Sequence, residues 1–175
     1  MKSTYRIRRL AMPEARGVAT ALADILYDCV AGGASVSFMA DLTHDAAVTF
    51  WQGEADAGDG DGRAILVSED DEGIFGVVQV IPAWPPNQPH RADISKMLVH
   101  RRGRRRGAAE ALLAAAEGAA RDMNRTLLVL DTVTGGAAEA LYAKRGWTRV
   151  GVIPDYALMP DGAMSATTVF YKVLA

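Results

Sequence analysis

The chain has 175 residues, half of them hydrophobic and 23% charged, and its formal net charge is −2 at pH 7. This length fits one compact domain over residues 1–175, and the apolar content is far above that of intrinsically disordered chains. The near-neutral charge argues against a nucleic-acid partner bound through a globally basic surface, so any basic function is confined to a local cluster.

The single cysteine and the lack of a long apolar stretch exclude further classes of protein. Cys29 is the single cysteine, which excludes an intrachain disulfide and a cysteine-ligated zinc site. The three histidines have no ligand spacing, so we predict no metal. Residues 1–17 contain no signal-peptide run, and the longest uncharged apolar stretch, residues 29–40, is too short to span a bilayer. We therefore expect a cytoplasmic protein without a membrane partner.

The first third of the sequence predicts one strand and two helices. Alternating residues predict a strand at 5–10, and a helix then begins at Pro13 and continues to about residue 31, where two glycines end it. Cys29 falls on the apolar face of that helix. Thr43 is the expected N-cap of a second helix. The Gly/Asp tract at 57–62 predicts a loop after it.

The rest of the chain predicts strands separated by two helices. Six segments have strand composition, and they are residues 63–68, 74–81, 93–99, 126–131, 147–153 and 166–174. The fourth is apolar throughout, which is typical of a strand buried on both faces. An alanine-rich helix precedes it, and we expect Glu117 and Arg121 to form an exposed pair on that helix. Another helix is predicted at 137–145. Strand, helix, strand implies a parallel crossover in a mixed α/β fold.

A basic segment joins the strand at 93–99 to the alanine-rich helix. It contains five arginines and ends in Gly107, Ala108 and Ala109, which let ligand atoms approach the backbone closely. The free N–H groups of a helix start, together with arginine side chains, form a site for phosphate or pyrophosphate. A solvated basic turn is the alternative. The lysine and hydroxyl residue of a P-loop are missing, so nothing supports nucleotide hydrolysis by that route.

Two motifs resemble signatures of the GCN5-related N-acetyltransferase superfamily. They are Arg104-x-x-Gly107-x-Ala109 after a strand, and Ala140-Leu141-Tyr142-x-x-x-Gly146-Trp147 further on. Within the superfamily, residues 32–42, 130–132 and 160–162 resemble the tabtoxin resistance group. The sequence departs from the common pattern at Arg105, where glycine is usual.

The resemblance implies an α/β fold of the GNAT type with a mixed, mostly antiparallel sheet of about seven strands and about four helices. Its parallel fourth and fifth strands are splayed apart, and the pantetheine arm of the cosubstrate acetyl-CoA lies between them. The residues thereby implied in binding acetyl-CoA are Met97, Leu98, Val99, Arg104, Arg105, Arg106, Gly107, Ala108, Ala109, Thr132, Ala138 and Tyr142. Arginines that the pyrophosphate does not need are expected to hold the adenosine 3′-phosphate.

The resemblance also implies direct attack of an amine on the thioester, without an acyl-enzyme. Tyr142 is implied as the general acid at the sulfur, and its alternative role is packing on the apolar face of its helix. A base is needed because an amine of pKa near 10.4 is neutral in only about one molecule in a thousand at pH 7. Asp93 and Asp131 compete for that role, and a strand-end hydrogen bond is the alternative for either.

The acceptor is expected to be a primary amine on a small molecule, such as an amino-acid-like toxin or antibiotic. Recognition is assigned to the unusual segment 32–42 through Ser35, Phe38, Met39 and Asp41. Lys96 faces either the cleft or solvent. A protein or peptide acceptor and a non-catalytic CoA-binding regulatory module remain alternatives. The chain is expected to be a monomer or a homodimer.

Overall fold

The computed structural model describes residues 4–175, which contain five α-helices, one 3₁₀ helix and seven strands. In chain order they are β1 (Arg6–Arg9), α1 (Met12–Gly17), α2 (Ala19–Ala31), α3 (His44–Asp61), β2 (Ala64–Asp70), β3 (Gly73–Pro82), β4 (Arg91–Val99), the 3₁₀ helix (Arg101–Gly103), α4 (Ala108–Asp122), β5 (Leu127–Val133), α5 (Ala137–Lys144), β6 (Thr148–Leu158) and β7 (Met164–Val173). Residues 1–3, where the predicted domain begins, lie outside the described part. None of the helices in that part has the length and apolar character needed to cross a bilayer.

The seven strands form one sheet in the order β1-β2-β3-β4-β5-β7-β6. All neighbours are antiparallel except β4 and β5, which run parallel. That pair is joined only where residues 91–93 face residues 127–129, and beyond this point the two strands separate. The predicted fold with its splayed parallel pair is confirmed. Four of its five helices have eight or more residues.

The sheet separates two apolar clusters. On one face α1, α2 and α3 pack over β2, β3 and β4, with Leu22, Leu26 and Trp51 fully buried. On the other face α4 packs over β2, β3 and β4 and α5 packs over β5, and there Leu112 and Phe170 have at most 1% of their surface exposed. Helices on both faces hold the middle of the sheet rigidly, so the separation of β4 from β5 leaves a gap with fixed walls.

The boundaries of the first three helices differ in part from the prediction. The N-cap at Thr43 is confirmed, because its hydroxyl accepts a hydrogen bond from the N–H of Ala46 at 3.2 Å. The predicted loop at 57–62 is wrong, since α3 continues to Asp61. A Cβ on Gly58 would lie 2.2 Å from the sulfur of Met12, so glycine lets α1 pack closely against α3. That packing outweighs the low helix propensity of the tract.

Two other elements also differ from their predicted bounds. The helix predicted from Pro13 is divided at Val18 into α1 and α2. The strand predicted to end at residue 153 continues through Pro154 to Leu158, and an irregularity in its pairing with β7 accommodates the proline. β6 is the outermost strand of the sheet, where a proline costs no ladder hydrogen bond.

The predicted exposed pair of Glu117 and Arg121 is wrong. Only 4% of Glu117 is exposed, and its carboxylate accepts hydrogen bonds from the indole N–H of Trp147 at 3.0 Å and from Lys172 Nζ at 2.8 Å. Arg121 instead donates to the carbonyl of Ala175 at 3.1 Å. Glu117 thus ties α4 to β7, and its partners come from 30 and 55 residues away in sequence.

Candidate active site

A cavity of about 1100 Å³ opens where β4 and β5 separate. The unpaired part of β4 leaves main-chain groups free to bind an extended ligand, as in recognition by strand addition. Sixteen of the predicted site residues line this cavity, and they are Ser35, Phe38, Met39, Lys96, Met97, Leu98, Val99, Arg104, Arg105, Gly107, Ala108, Ala109, Asp131, Thr132, Ala138 and Tyr142. The structure does not bring Asp41, Asp93 or Arg106 to the wall of this cavity.

β4 is irregular where it passes the cavity. Val77 of β3 faces Leu98, whereas Gln79 faces Ser95, so a single β3 residue lies opposite Lys96 and Met97 together. Lys96 has a φ of 49°, a left-handed backbone conformation that is rare for a residue with a side chain. Such bulges bend a strand and re-aim its side chains, and they occur often beside active sites.

Two carboxylates pair with four of the five arginines of the basic segment, although Arg104 reaches Asp28 only at 3.7 Å. Asp28 accepts the N–H of Arg101 at 2.9 Å and pairs with its guanidinium. Asp70 pairs with Arg102 at 2.9 Å and with Arg106 at 2.8 Å. Burial raises the pKa of each carboxyl, but these hydrogen bonds outweigh it and hold both pKa values below their usual range. The guanidinium of Arg106 therefore holds the basic segment against Asp70 at the end of β2.

Arg104 and Arg105 are the arginines that remain at the cavity. Arg104 donates to the carbonyl of Val99 at 3.2 Å, and about half of its side chain is exposed. Arg105 adopts a φ of 61°, which is a left-handed conformation. This conformation costs a residue with a side chain about 1–2 kcal/mol, whereas glycine adopts it without that cost. The structure thus explains why glycine is usual there. We expect the 3′-phosphate contact from Arg104 and Arg105, because both line the cavity and Arg104 is held only by a long pair with Asp28 at 3.7 Å.

The start of α4 supplies main-chain donors beside those two arginines. The helix begins at Ala108 after Gly107, whose φ of 80° is left-handed, and no side chain caps its first N–H groups. Uncapped amides at a helix start carry partial positive charge and bind phosphate groups. The cavity, the open strand edge and this helix start therefore fit the shape and charge of acetyl-CoA.

Tyr142 lies on α5 with 4% of its surface exposed, and it lines the cavity. Its ring packs against Trp147 and Phe170 at centroid distances of 5.8 and 5.9 Å, so the packing alternative describes the ring correctly. Burial, with a smaller contribution from the charge of Asp131, raises the pKa of Tyr142 to about 12. The phenol is therefore a protonated donor at neutral pH.

The structure separates the two carboxylates that compete as base. Asp131 lines the same cavity as Tyr142, and its carboxylate accepts a hydrogen bond from the hydroxyl of Thr167 at 2.8 Å. Asp93 pairs with Arg91 at 2.5 Å and lines a second cavity of about 390 Å³, which it shares with Asp131. Of the two, only Asp131 lines the large cavity together with Tyr142.

Lys96 and the segment 32–42 form the other end of the cavity. Lys96 Nζ donates to the hydroxyl of Ser37 at 3.3 Å and lies 5.5 Å from the centroid of the Phe50 ring. Burial lowers the pKa of Lys96, and the charges of Glu54 and Asp131 oppose this shift. The lysine therefore faces the cleft, which is the first of the two orientations that the sequence left open.

The segment 32–42 is fastened to the hairpin of β6 and β7. Ser35 donates its hydroxyl to the carbonyl of Leu158 at 3.0 Å, and the N–H of Ala40 bonds to the carbonyl of Pro160 at 3.0 Å. The chain turns there, which leaves the neighbouring Asp41 exposed and away from the cavity. Tyr156 of β6 lines the cavity, and sequence reasoning missed it because the strand was expected to end at residue 153.

Cys29 received no catalytic role from the sequence, although it lines the cavity. Cys29 is 4% exposed on the buried face of α2, and burial raises the pKa of its thiol, so it is protonated at neutral pH. Within residues 4–175, no group of three or more His, Cys, Asp or Glu side chains is placed to hold a metal ion.

Comparison with known proteins identifies the class. The sequence profile of the acetyltransferase (GNAT) family matches residues 21–147, more than half of the chain. The chain belongs to this family of N-acetyltransferases, whose cosubstrate is acetyl-CoA.

Solved acetyltransferases share the fold over nearly the whole chain. A ribosomal-protein-alanine N-acetyltransferase from Brucella melitensis is 21% identical with a TM-score of 0.81, covering 97% of this chain and 99% of that one. A putative acetyltransferase from Salmonella typhimurium, solved with its cofactor acetyl-CoA, is 19% identical with a TM-score of 0.81 and coverages of 99% and 95%. A putative phosphinothricin N-acetyltransferase is 18% identical with a TM-score of 0.80 and coverages of 98% and 100%.

Proposed function

We propose that the chain is a single N-acetyltransferase domain that moves the acetyl group of acetyl-CoA to a primary amine on a small molecule. The observation that carries this proposal is the convergence of Tyr142, Asp131 and Lys96 on one cavity, next to the helix start that suits a pyrophosphate. A non-catalytic CoA-binding module has no need for a buried phenol and a carboxylate at the same gap.

The proposed roles follow from what each group can donate or accept. The amine attacks the thioester carbon, and Tyr142 donates its proton to the departing sulfur. Asp131 binds the acceptor ammonium or accepts its proton, directly or through one water. Arg104, Arg105 and the amides at the start of α4 hold the phosphates. Leu98 and Val99 offer main-chain groups to the pantetheine arm.

The walls of the acceptor end favour a compact amine with an apolar body and an anionic group. Phe38 and Met39 supply apolar surface, and Lys96 supplies a cation. Hydrogen bonds tie the segment 32–42 to the β6–β7 hairpin, and in this proposal the segment closes the acceptor end to a peptide chain. An amino-acid-like toxin or antibiotic has this chemistry, which agrees with the resemblance to the tabtoxin resistance group.

The proposal is tested by calorimetry with acetyl-CoA, followed by thiol release on the same sample. The acceptor panel contains amino acids and their analogues, aminoglycosides, polyamines and short peptides. We expect acetyl-CoA to bind in the micromolar range and thiol release to be fastest with amino acids or their analogues. Release with peptides alone would contradict the small-molecule acceptor, and binding without release from any acceptor would favour the regulatory module.

Asp131→Asn is expected to lower kcat/KM for the amine at least tenfold, whereas Asp93→Asn changes it less than twofold. Asparagine retains an oxygen that can accept the hydroxyl of Thr167, so the variant removes charge and basicity with little change in structure. The pH profile of kcat/KM then identifies the role. Loss of the acidic limb indicates a base, and a raised KM with an unchanged profile indicates a binding group. Equal losses in the two variants would refute the assignment to Asp131.

The assembly state and the cellular location stay predictions. β6 and β7 carry exposed apolar side chains, among them Val150, Met164 and Val173, each at least 64% exposed. Surfaces of this kind occur in monomers and at the interfaces of dimers. Light scattering separates a monomer of 18.6 kDa from a homodimer of twice that mass.

A further inference from the structure

We propose that Lys96 is an autoacetylation site, whose ε-amino group takes the acetyl group from bound acetyl-CoA when the acceptor is absent. The proposal rests on the proposed function, because it uses the same transfer site. It adds a modification of the enzyme itself at the wall of its acceptor pocket.

The position of Lys96 is the first argument. The residue lies in the bulge of β4, at the gap where β4 separates from β5, and it lines the same cavity as Tyr142 and Asp131. The charge of Glu54 and, to a smaller extent, that of Asp131 act on the pKa of Lys96, and the charge of Asp131 also acts on the pKa of Tyr142. A primary amine thus lines the cavity in which the proposed transfer takes place.

The surroundings of the amino group are the second argument. Among the three lysines of residues 4–175, Lys144 pairs with Glu110 at 3.2 Å and Lys172 pairs with Glu117 at 2.8 Å. Lys96 is in no such ion pair: its Nζ contacts the hydroxyl of Ser37 and the ring of Phe50, and the charges of Glu54 and Asp131 act on it without direct pairing. A hydroxyl and an aromatic face stabilise an ammonium ion less than a carboxylate does. Burial without a carboxylate partner therefore increases the neutral, nucleophilic fraction of this amine.

The chemical step balances with the groups at the site. The lone pair of neutral Nζ attacks the carbonyl carbon of the thioester, a C–N bond forms, and the C–S bond breaks. The electron pair remains on sulfur, which takes a proton from Tyr142 and leaves as the CoA thiol. The nitrogen loses one proton to Asp131 or to water, and solvent returns a proton to Tyr142. The product is N-acetyl-lysine and free CoA.

The modification has a consequence for the acceptor. Acetylation removes the positive charge of Lys96 and adds an acetyl group to the pocket wall, so it weakens binding of an anionic acceptor. Conversely, a bound anion stabilises the charged form of Lys96 and protects it from acetylation. The site is therefore expected to be modified when acetyl-CoA is abundant and the acceptor is scarce.

The test is incubation of the purified full-length protein with radiolabelled acetyl-CoA and no acceptor, followed by digestion and mass spectrometry. We expect the initial labelling rate at Lys96 to exceed that at Lys144 and Lys172 at least tenfold. Lys96→Arg should lose this label, and the matched control Lys144→Arg should keep it. Thermal unfolding of both variants confirms that each is folded.

Tyr142→Phe separates transfer within the site from spontaneous acetylation. The site reaction predicts at least tenfold slower labelling of Lys96 in this variant, whereas an equal rate would overturn the proposal. Equal labelling of all three lysines would also overturn it. Thiol release with a small amine, without any acetyl on Lys96, would refute autoacetylation and leave the proposed function standing. Failure to bind acetyl-CoA would overturn both.

Discussion

Tyr142→Phe is expected to leave the affinity for acetyl-CoA unchanged within a factor of two while lowering kcat at least tenfold, which corresponds to about 1.4 kcal/mol of barrier. The substitution removes one hydroxyl and retains the ring that packs on Trp147 and Phe170. Binding of the phosphates and the pantetheine arm depends on other residues, so it should survive. Calorimetry measures the affinity, and thiol release under saturating amine measures kcat.

The raised pKa of Tyr142 also predicts the pH dependence of this effect. Because the pKa is about 12, the phenol keeps its proton throughout the neutral and mildly alkaline range. Tyr142 should therefore cause no alkaline loss of kcat below about pH 10. Tyr171→Phe is the matched control, because this tyrosine of β7 is 37% exposed and does not line the cavity. Unchanged turnover in Tyr142→Phe would remove Tyr142 from the mechanism.

The order of strands and helices was predictable because most elements carry a local signal. The apolar run at 126–131 predicted a strand in the middle of the sheet, and β5 does lie between β4 and β7. The predicted burial on both faces is wrong, because only Leu128 and Leu130 are buried and the other face of β5 is partly exposed. The Gly/Asp tract misled because its composition is that of a loop. Helix α3 continues through this tract because Met12 packs against Gly58. These residues are 46 positions apart, and neither local sequence indicates the contact.

The residues that line the cavity were predictable where a local motif fixes the backbone. They were not predictable where side chains distant in sequence determine which groups pair. Arg104, the segment 107–109 and Tyr142 were predicted from their motifs, and all of them line the cavity. The sequence could not sort the five arginines, because Asp28 and Asp70 lie far from them along the chain and neither belongs to a motif. It also could not tell which of Asp93 and Asp131 lines the large cavity, since that depends on where the two strands separate.

Glu117→Ala is expected to lower the free energy of unfolding by about 3 kcal/mol, the size of effect seen when one partner of a buried ion pair is removed. The substitution leaves Lys172, whose side chain is 19% exposed, without its carboxylate and leaves the buried indole N–H of Trp147 without its acceptor. Urea denaturation of the variant and the wild type measures the difference. Glu110→Ala on the same helix is the control, because its pair with Lys144 is exposed and should contribute less than about 1 kcal/mol.

The double variant Glu117→Leu, Lys172→Met distinguishes the cost of an unpaired charge from the value of the pair. If the loss in Glu117→Ala comes mainly from the stranded ammonium of Lys172, replacing both partners by apolar residues should recover more than half of it. Recovery is limited by the indole of Trp147, which still lacks an acceptor. A double variant as unstable as Glu117→Ala would mean instead that the pair itself holds α4 on β7. In that case acetyl-CoA affinity should fall as well, because α4 presents the amides expected to bind its phosphates.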